Sequence, residues 1–117
     1  MAYRIVSNKY NGEVNLLFTS NDSVVIAGNT SASNVALLDE VLVGASITQL
    51  FCGSPSGNSA YWEIKRGSNT VFVADSTAFI DFRGTGMAMT LDEAATLSAN
   101  LVGSAAGTLY IQIKKHT

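Results

Sequence analysis

The sequence predicts an all-β fold: one antiparallel β-sandwich, jelly-roll-like, in a single domain spanning 1–117. Three observations carry this. The apolar runs are rich in β-branched and aromatic residues, which suit a pleated, half-buried surface. Turn residues interrupt those runs every few positions. Several runs also alternate apolar and polar side chains with the period of two that a half-buried strand shows. A jelly roll needs about eight strands in two sheets, and a chain of 117 residues accommodates that around one core. No linker and no internal repeat divides it.

The elements follow in order. Tyr3 to Ser7 fits either a first strand or an extended N-terminal arm over residues 1–8. Asn11-Gly12 is a turn signal, and Glu13 to Thr19 reads as a strand. Asn21-Asp22 breaks it, and Ser23 to Ala27 is a further apolar run before the Gly28–Ser31 loop. Val35 to Val43 fits a strand or one amphipathic turn, because Asp39-Glu40 interrupts the pattern. Ala45 to Cys52 is a strand, and Gly53 to Asn58, with the only proline, Pro55, is the clearest loop.

Ala60 to Arg66 alternates: Trp62 and Ile64 face one way, and Tyr61, Glu63 and Lys65 the other. Gly67-Ser68-Asn69 turns the chain, and Thr70 to Ala74 returns as a hairpin partner. Phe79 to Phe82 is short, Gly84-Thr85-Gly86 is a tight loop, and Met87 to Thr90 is a further candidate strand. Leu91 to Ala94 is turn-like. Leu97, Ala99 and Leu101 share one face of the next strand. Gly103 to Gly107 reads as flexible. Leu109, Ile111 and Ile113 share one face of the last strand, with Tyr110, Gln112 and Lys114 opposite.

Charged residues make up 14% of the chain, against roughly 25% in ordinary domains. Thirteen Ser, ten Thr and nine Asn carry the solubility instead. Such a surface suits packing against other protein, since few charges must be desolvated. The net charge is −2, and the seven cations are dispersed, which argues against nucleic-acid binding. Lys114-Lys115 reads as a solvated end. Met1-Ala2-Tyr3-Arg4 lacks a signal-peptide core, and no apolar run approaches the roughly 20 residues that cross a bilayer. The expectation is synthesis in the cytoplasm, without secretion or a membrane partner. The sequons at Asn21 and Asn29 then carry no meaning.

Catalytic chemistry needs ionisable groups that converge. The only histidine, His116, is next to last and is expected to fray, so a serine nucleophile would lack an oriented base. Asp39-Glu40 and Asp92-Glu93 are neighbours that point apart on a strand, and Asp75 and Asp81 read as turn caps. The lone Cys52 reads as a small core residue. No Cys/His cluster and no calcium-loop spacing is present, and Gly84-Thr85-Gly86 has no following helix to make a phosphate cradle. The expectation is therefore a protein that is not an enzyme and takes no cofactor or metal. Among the aromatics at 61–82, Trp62 is expected to point inward and Tyr61 outward. That makes Tyr61, with the Pro55 loop, the place where a carbohydrate-binding sandwich would hold a sugar.

The segment Trp62-Glu63-Ile64-Lys65-Arg66-Gly67-Ser68-Asn69-Thr70-Val71-Phe72 leads to Phe79-Ile80-Asp81-Phe82-Arg83-Gly84. Gly86-Met87-Ala88-Met89, Asp92, Ala95-Thr96-Leu97 and Gly107-Thr108-Leu109-Tyr110-Ile111-Gln112-Ile113-Lys114-Lys115 follow. This half of the chain resembles small proteins encoded among the structural genes of tailed bacteriophages, especially phages of aquatic bacteria. The resemblance implies a virion component, foremost a capsid decoration (cement) protein on the head surface, with the major capsid protein as partner. It also implies a homo-oligomer, with a trimer favoured. A tail, neck or fibre-associated structural protein is the alternative it leaves open. It supplies no catalytic residue and assigns no contact residue.

A cement protein binds many identical sites, so modest contacts gain from repetition. Strand edges and arms serve such docking, because unpaired backbone groups add to a neighbour's sheet. Tyr3, Arg4 and Ile5 in the first segment, with Tyr61 and Pro55, are the candidate interface residues.

Overall fold

In a computed structural model of the chain, residues 2–53, 60–74, 78–83, 94–103 and 107–117 are described. They form an antiparallel β-sandwich with no helix. Its strands are β1 (Tyr3–Asn8), β2 (Glu13–Phe18), β3 (Asp22–Val24), β4 (Gly44–Cys52) and β5 (Tyr61–Arg66). After these come β6 (Asn69–Ala74), β7 (Ala78–Asp81), β8 (Leu97–Val102) and β9 (Leu109–His116). One sheet runs β1-β2-β9-β4-β7, and the other runs β3-β8-β5-β6. The pairs β2·β9, β3·β8, β4·β7 and β5·β6 are nested, each enclosing the next. The chain is thus one long hairpin ribbon wound over itself, with its tip at the β5–β6 turn. That tip is a two-residue loop whose first position, Gly67, has φ 61°, a conformation that favours glycine.

Alternation decides which side chains meet between the sheets. Val14, Leu16 and Phe18 on β2, Ile47 and Leu50 on β4, and Leu109, Ile111 and Ile113 on β9 face Trp62, Ile64, Leu97 and Ala99 of the second sheet. Burying each of the larger side chains stabilises the fold by about 1.5–3 kcal/mol. Trp62 is inward and fully buried. Arg66 keeps the same parity as Trp62 and Ile64, so it too points in. Its Nη1 donates to the Ala45 carbonyl on the opposite sheet at 2.8 Å, and Nε and Nη2 donate to the Ala95 carbonyl.

Several expectations are corrected. Of the two readings of the first segment, the strand is the one formed: β1 is an edge strand that pairs along its length with β2, with a bulge between Ile5 and Ser7. The apolar run after Asn21 forms a ladder only over Asp22–Val24, because Asn34 takes both backbone groups of Val25 and ends the strand. Residues 35–43 make neither a strand nor an amphipathic turn of helix. They are irregular, with a single bridge from Leu42 to Gly28 and a turn at Leu37–Glu40, where Asp39 has φ 68°. The loop with Pro55, Asp75, the Gly84-Thr85-Gly86 loop, the Met87–Thr90 candidate strand, Leu91–Glu93 and 104–106 lie outside the described residues.

The largest correction concerns the C-terminus. Lys115 is not solvated: it faces inward on β9, and its Nζ lies 2.7 Å from Glu40 Oε1, with both side chains 0% exposed. Nζ also donates to Asn8 Oδ1 at 2.7 Å. Glu40 in turn accepts the backbone N–H groups of Leu37 and Asn11. One buried ion pair therefore joins β9, the end of β1, the β1–β2 turn and the irregular segment. Removing water from two charges costs several kcal/mol per ion, and the additional hydrogen bonds offset that. Burial pushes the Glu40 carboxyl pKa up. The hydrogen bond from Lys115, the N–H groups of Leu37 and Asn11 and the Lys115 charge together outweigh it and hold the group below its ordinary value.

Breaking this pair by Lys115→Ala is expected to cost about 3–5 kcal/mol, because a buried carboxylate loses its partner. The double replacement Glu40→Leu with Lys115→Met should recover part of that loss. Both are checked by urea denaturation. A carboxyl with a lowered folded pKa contributes stability above its unfolded value of about 4.3, and that stability is lost as pH falls through the folded value. Wild-type stability should therefore fall on acidification below about pH 4.3 more steeply than that of the double variant.

Candidate functional site

The two outer faces of the sandwich differ. On the five-stranded sheet, strand register sets two rungs side by side. Ser7, Asn15, Gln112, Gln49 and Asp81 stand opposite one another across β1, β2, β9, β4 and β7. Two residues along β2, β9, β4 and β7, and three along the bulged β1, Arg4, Leu17, Tyr110, Phe51 and Phe79 form the next rung. Side chains two residues apart on a strand share a face, so a polar rung lies against an aromatic one.

The aromatic rung is exposed: Phe51 by 42%, Phe79 by 61% and Tyr110 by 41%. The Phe51 ring centroid lies 6.3 Å from that of Phe79 and 6.5 Å from that of Tyr110, tilted at 55° and 60°. The polar rung is cross-linked. Asn15 Nδ2 donates to Ser7 Oγ at 2.7 Å, and Gln112 Nε2 donates to Asn15 Oδ1 at 3.0 Å. The Thr48 hydroxyl donates to Gln112 Oε1 at 3.0 Å, and Gln49 Nε2 donates to Asp81 Oδ2 at 3.3 Å. A depression of about 140 Å³ is lined by residues of both rungs. Asp81 is paired with Arg83 at 3.0 Å. The Arg83 guanidinium and backbone N–H, helped by Gln49, hold its carboxyl well below the usual carboxylate range.

The expected site residues are placed as follows. Tyr61 stands half-buried on the outer face of the other sheet, opposite Val102. Trp62 lies in the core and offers no ring to a ligand; its Nε1 has no hydrogen-bond partner among the described residues. Tyr3 is buried against Phe18 at 5.9 Å, its phenol pKa pushed up by burial and by the Asp22 charge. Ile5 is half-buried and packs on the core. Arg4 is exposed, and so is Val6 at the bulge. β1 is the outermost strand of its sheet, and a depression of about 270 Å³ lies beside it, lined by Ala2, Tyr3, Arg4, Leu17 and Thr19. Pro55 lies outside the described residues.

Sequence reasoning overlooked the aromatic rung, although strand parity marks it. Leu50 and Cys52 point inward, so Phe51 points out. Leu109 and Ile111 point inward, so Tyr110 points out beside it.

His116 is not frayed. It ends β9, and its backbone oxygen accepts the Val43 N–H. Its Nε2 lies 2.7 Å from Ser46 Oγ. A serine nucleophile also needs the second ring nitrogen held by a third group and donors for the oxyanion. Among the described residues no carboxylate is hydrogen-bonded to that imidazole, and no three His, Cys, Asp or Glu side chains are grouped to hold a metal ion. The Cys52 thiol is buried, donates to the Gly53 carbonyl, and has its pKa pushed up by desolvation, so it stays protonated.

A disulfide reagent should therefore modify Cys52 only as the chain unfolds. Mass spectrometry in native buffer and in denaturant reads the outcome. No family model matches the chain, and neither a curated protein nor a solved structure does.

Proposed function

We propose that this is a non-enzymatic virion structural protein, a capsid decoration protein that binds the outer head lattice through the major capsid protein. The observation that carries this reading is the edge position of β1, which pairs with no second strand among the described residues. An outermost strand offers backbone donors and acceptors to another chain, and the charge at Arg4 with the bulge between Ile5 and Ser7 restricts that pairing to a partner that fits them. Here the edge carries Arg4 and the exposed Val6, with the depression at Ala2, Tyr3 and Leu17 beside it. Tyr3 and Ile5 contribute from within, by fixing the strand on the core rather than by touching the partner.

Three further points support the reading. The C-terminal half resembles structural proteins of tailed phages. The nested pairing β2·β9, β3·β8, β4·β7 and β5·β6, with β1 added outside, is how we read the jelly roll. That winding is common in capsid proteins, though a fold by itself does not assign a function. The low charge suits packing in a lattice, where repetition supplies avidity. On this reading the protein acts on the capsid surface as a homo-oligomer, with a trimer favoured.

Co-sedimentation with expanded heads tests the edge. Arg4→Glu with Val6→Lys should weaken head binding at least about tenfold, a loss of about 1.4 kcal/mol, with the urea midpoint unchanged. Unchanged binding, or particles whose heads carry no copy of the protein by electron microscopy, would overturn the proposal.

A further inference from the structure

Beyond Arg4 and Leu17, the outer face of the five-stranded sheet carries side chains that docking at the β1 edge does not use. We propose that its two rungs form a binding site for a neutral sugar residue of a glycan, packed by its C–H face against the aromatic row of Tyr110, Phe51 and Phe79 and hydrogen-bonded by Asn15, Gln112 and Gln49. The inference rests on reading the protein as a non-catalytic binding module, but it does not need the head as partner.

The chemistry of the surface selects this ligand class. A pyranose has an apolar face of C–H groups, slightly positive, and a rim of hydroxyls that both donate and accept. Aromatic faces are slightly negative and suit the first. Side-chain amides carry both donors and acceptors and suit the second. The two chemistries stand here in adjacent rows of the same strands, so one flat ring can meet both. An apolar peptide would leave the amide row unused, and an anionic ligand would meet no free cation among the rung residues beyond Arg4 at the far edge. Asp81 is already neutralised by Arg83.

The amides retain capacity for a ligand. Gln49 uses one of its two N–H protons on Asp81, and its Oε1 accepts no hydrogen bond from the described residues. Asn15 and Gln112 each have one amide proton engaged by a protein acceptor and a second left over. Those same bonds fix the amide orientations before a ligand arrives, so little side-chain entropy is lost on binding. The depression of about 140 Å³ between the rungs is on the scale of a single sugar ring rather than of a helix or strand.

The test is a titration of the isotopically labelled full chain with neutral sugars: glucose, galactose, mannose and N-acetylglucosamine. Amide shifts in β4, β7 and β9 are expected. Phe79→Ala and Gln49→Leu should each weaken binding at least about tenfold. Tyr61→Ala, on the other sheet, should leave it unchanged. Phe79 is largely exposed, so its removal should spare the fold, as the emission of the buried Trp62 would report. No shifts with any of these sugars at about 10 mM, weaker than any millimolar site, would overturn the proposal. So would release of Phe79→Ala from heads, which would make this face a capsid contact and leave the docking reading standing. Sugar binding by a protein that never joins a head would support the site and remove the docking reading.

Discussion

The buried contact between Lys115 and Glu40 fixes what the rest of the molecule presents. Side chains alternate along a strand, so a slip of β9 by one residue would turn every one of them to the opposite face. Lys115 would leave its carboxylate, and Tyr110 and Gln112 would enter the core. A charge with one buried partner tolerates no such slip, whereas Leu109, Ile111 and Ile113 taken alone could tolerate a slip of two. Because β9 lies between β2 and β4, its register also fixes theirs. The Asn15–Gln112–Gln49–Asp81 rung is in this sense a consequence of an ion pair at the far end of β9.

The same pair explains how a chain with so little helix or regular loop structure holds its irregular segment. Residues 25–43 form few backbone ladders, and unpaired backbone groups are costly when buried. Side chains take over. Asn34 stands in for a strand beside Val25, Ser33 Oγ accepts the N–H groups of Val35 and Ala36, and Glu40 accepts those of Leu37 and Asn11. Arg66 does comparable work across the sandwich through the Ala45 carbonyl. Polar residues that look like surface in the sequence thus serve as internal ties.

That substitution marks the limit of what was legible. The fold class, most strand positions and the inward Trp62 follow from alternation, because hydrophobic burial is local in its pattern. Glu40, Lys115 and His116 were misplaced for a different reason. Their environment comes from partners 70 or more residues away, Lys115 for Glu40 and Ser46 for His116, and a charged or terminal residue carries no local sign of being buried. Parity gave the direction of Lys115, since it continues the Leu109–Ile111–Ile113 face, but charge argued the other way and the pairing was invisible. The aromatic rung needed one further step. Each ring's outward direction could be read from its own strand, yet only the register across β9, β4 and β7 brings the three together.

The distribution of charge then bears on what kind of work the surface can do. Lys115 and Glu40 neutralise each other in the interior, Arg83 and Asp81 do so outside, and Arg66 is spent on backbone carbonyls. Among the described residues the two middle rungs of the five-stranded sheet's outer face are left with amides, hydroxyls and aromatic rings, while its charges stand around them: Arg4 at one edge, Asp81 with Arg83 at the other, and Glu13 opposite Lys114 one rung beyond. Such groups recognise a partner by shape, stacking and short-range hydrogen bonds, whose strength does not fall with salt as that of exposed ion pairs does. Binding of a neutral ligand by the amide and aromatic rows should therefore be nearly independent of ionic strength, while binding that uses the Arg4 charge should weaken as salt rises. The two surfaces can be told apart by that difference alone, because screening acts on the guanidinium and not on the rings.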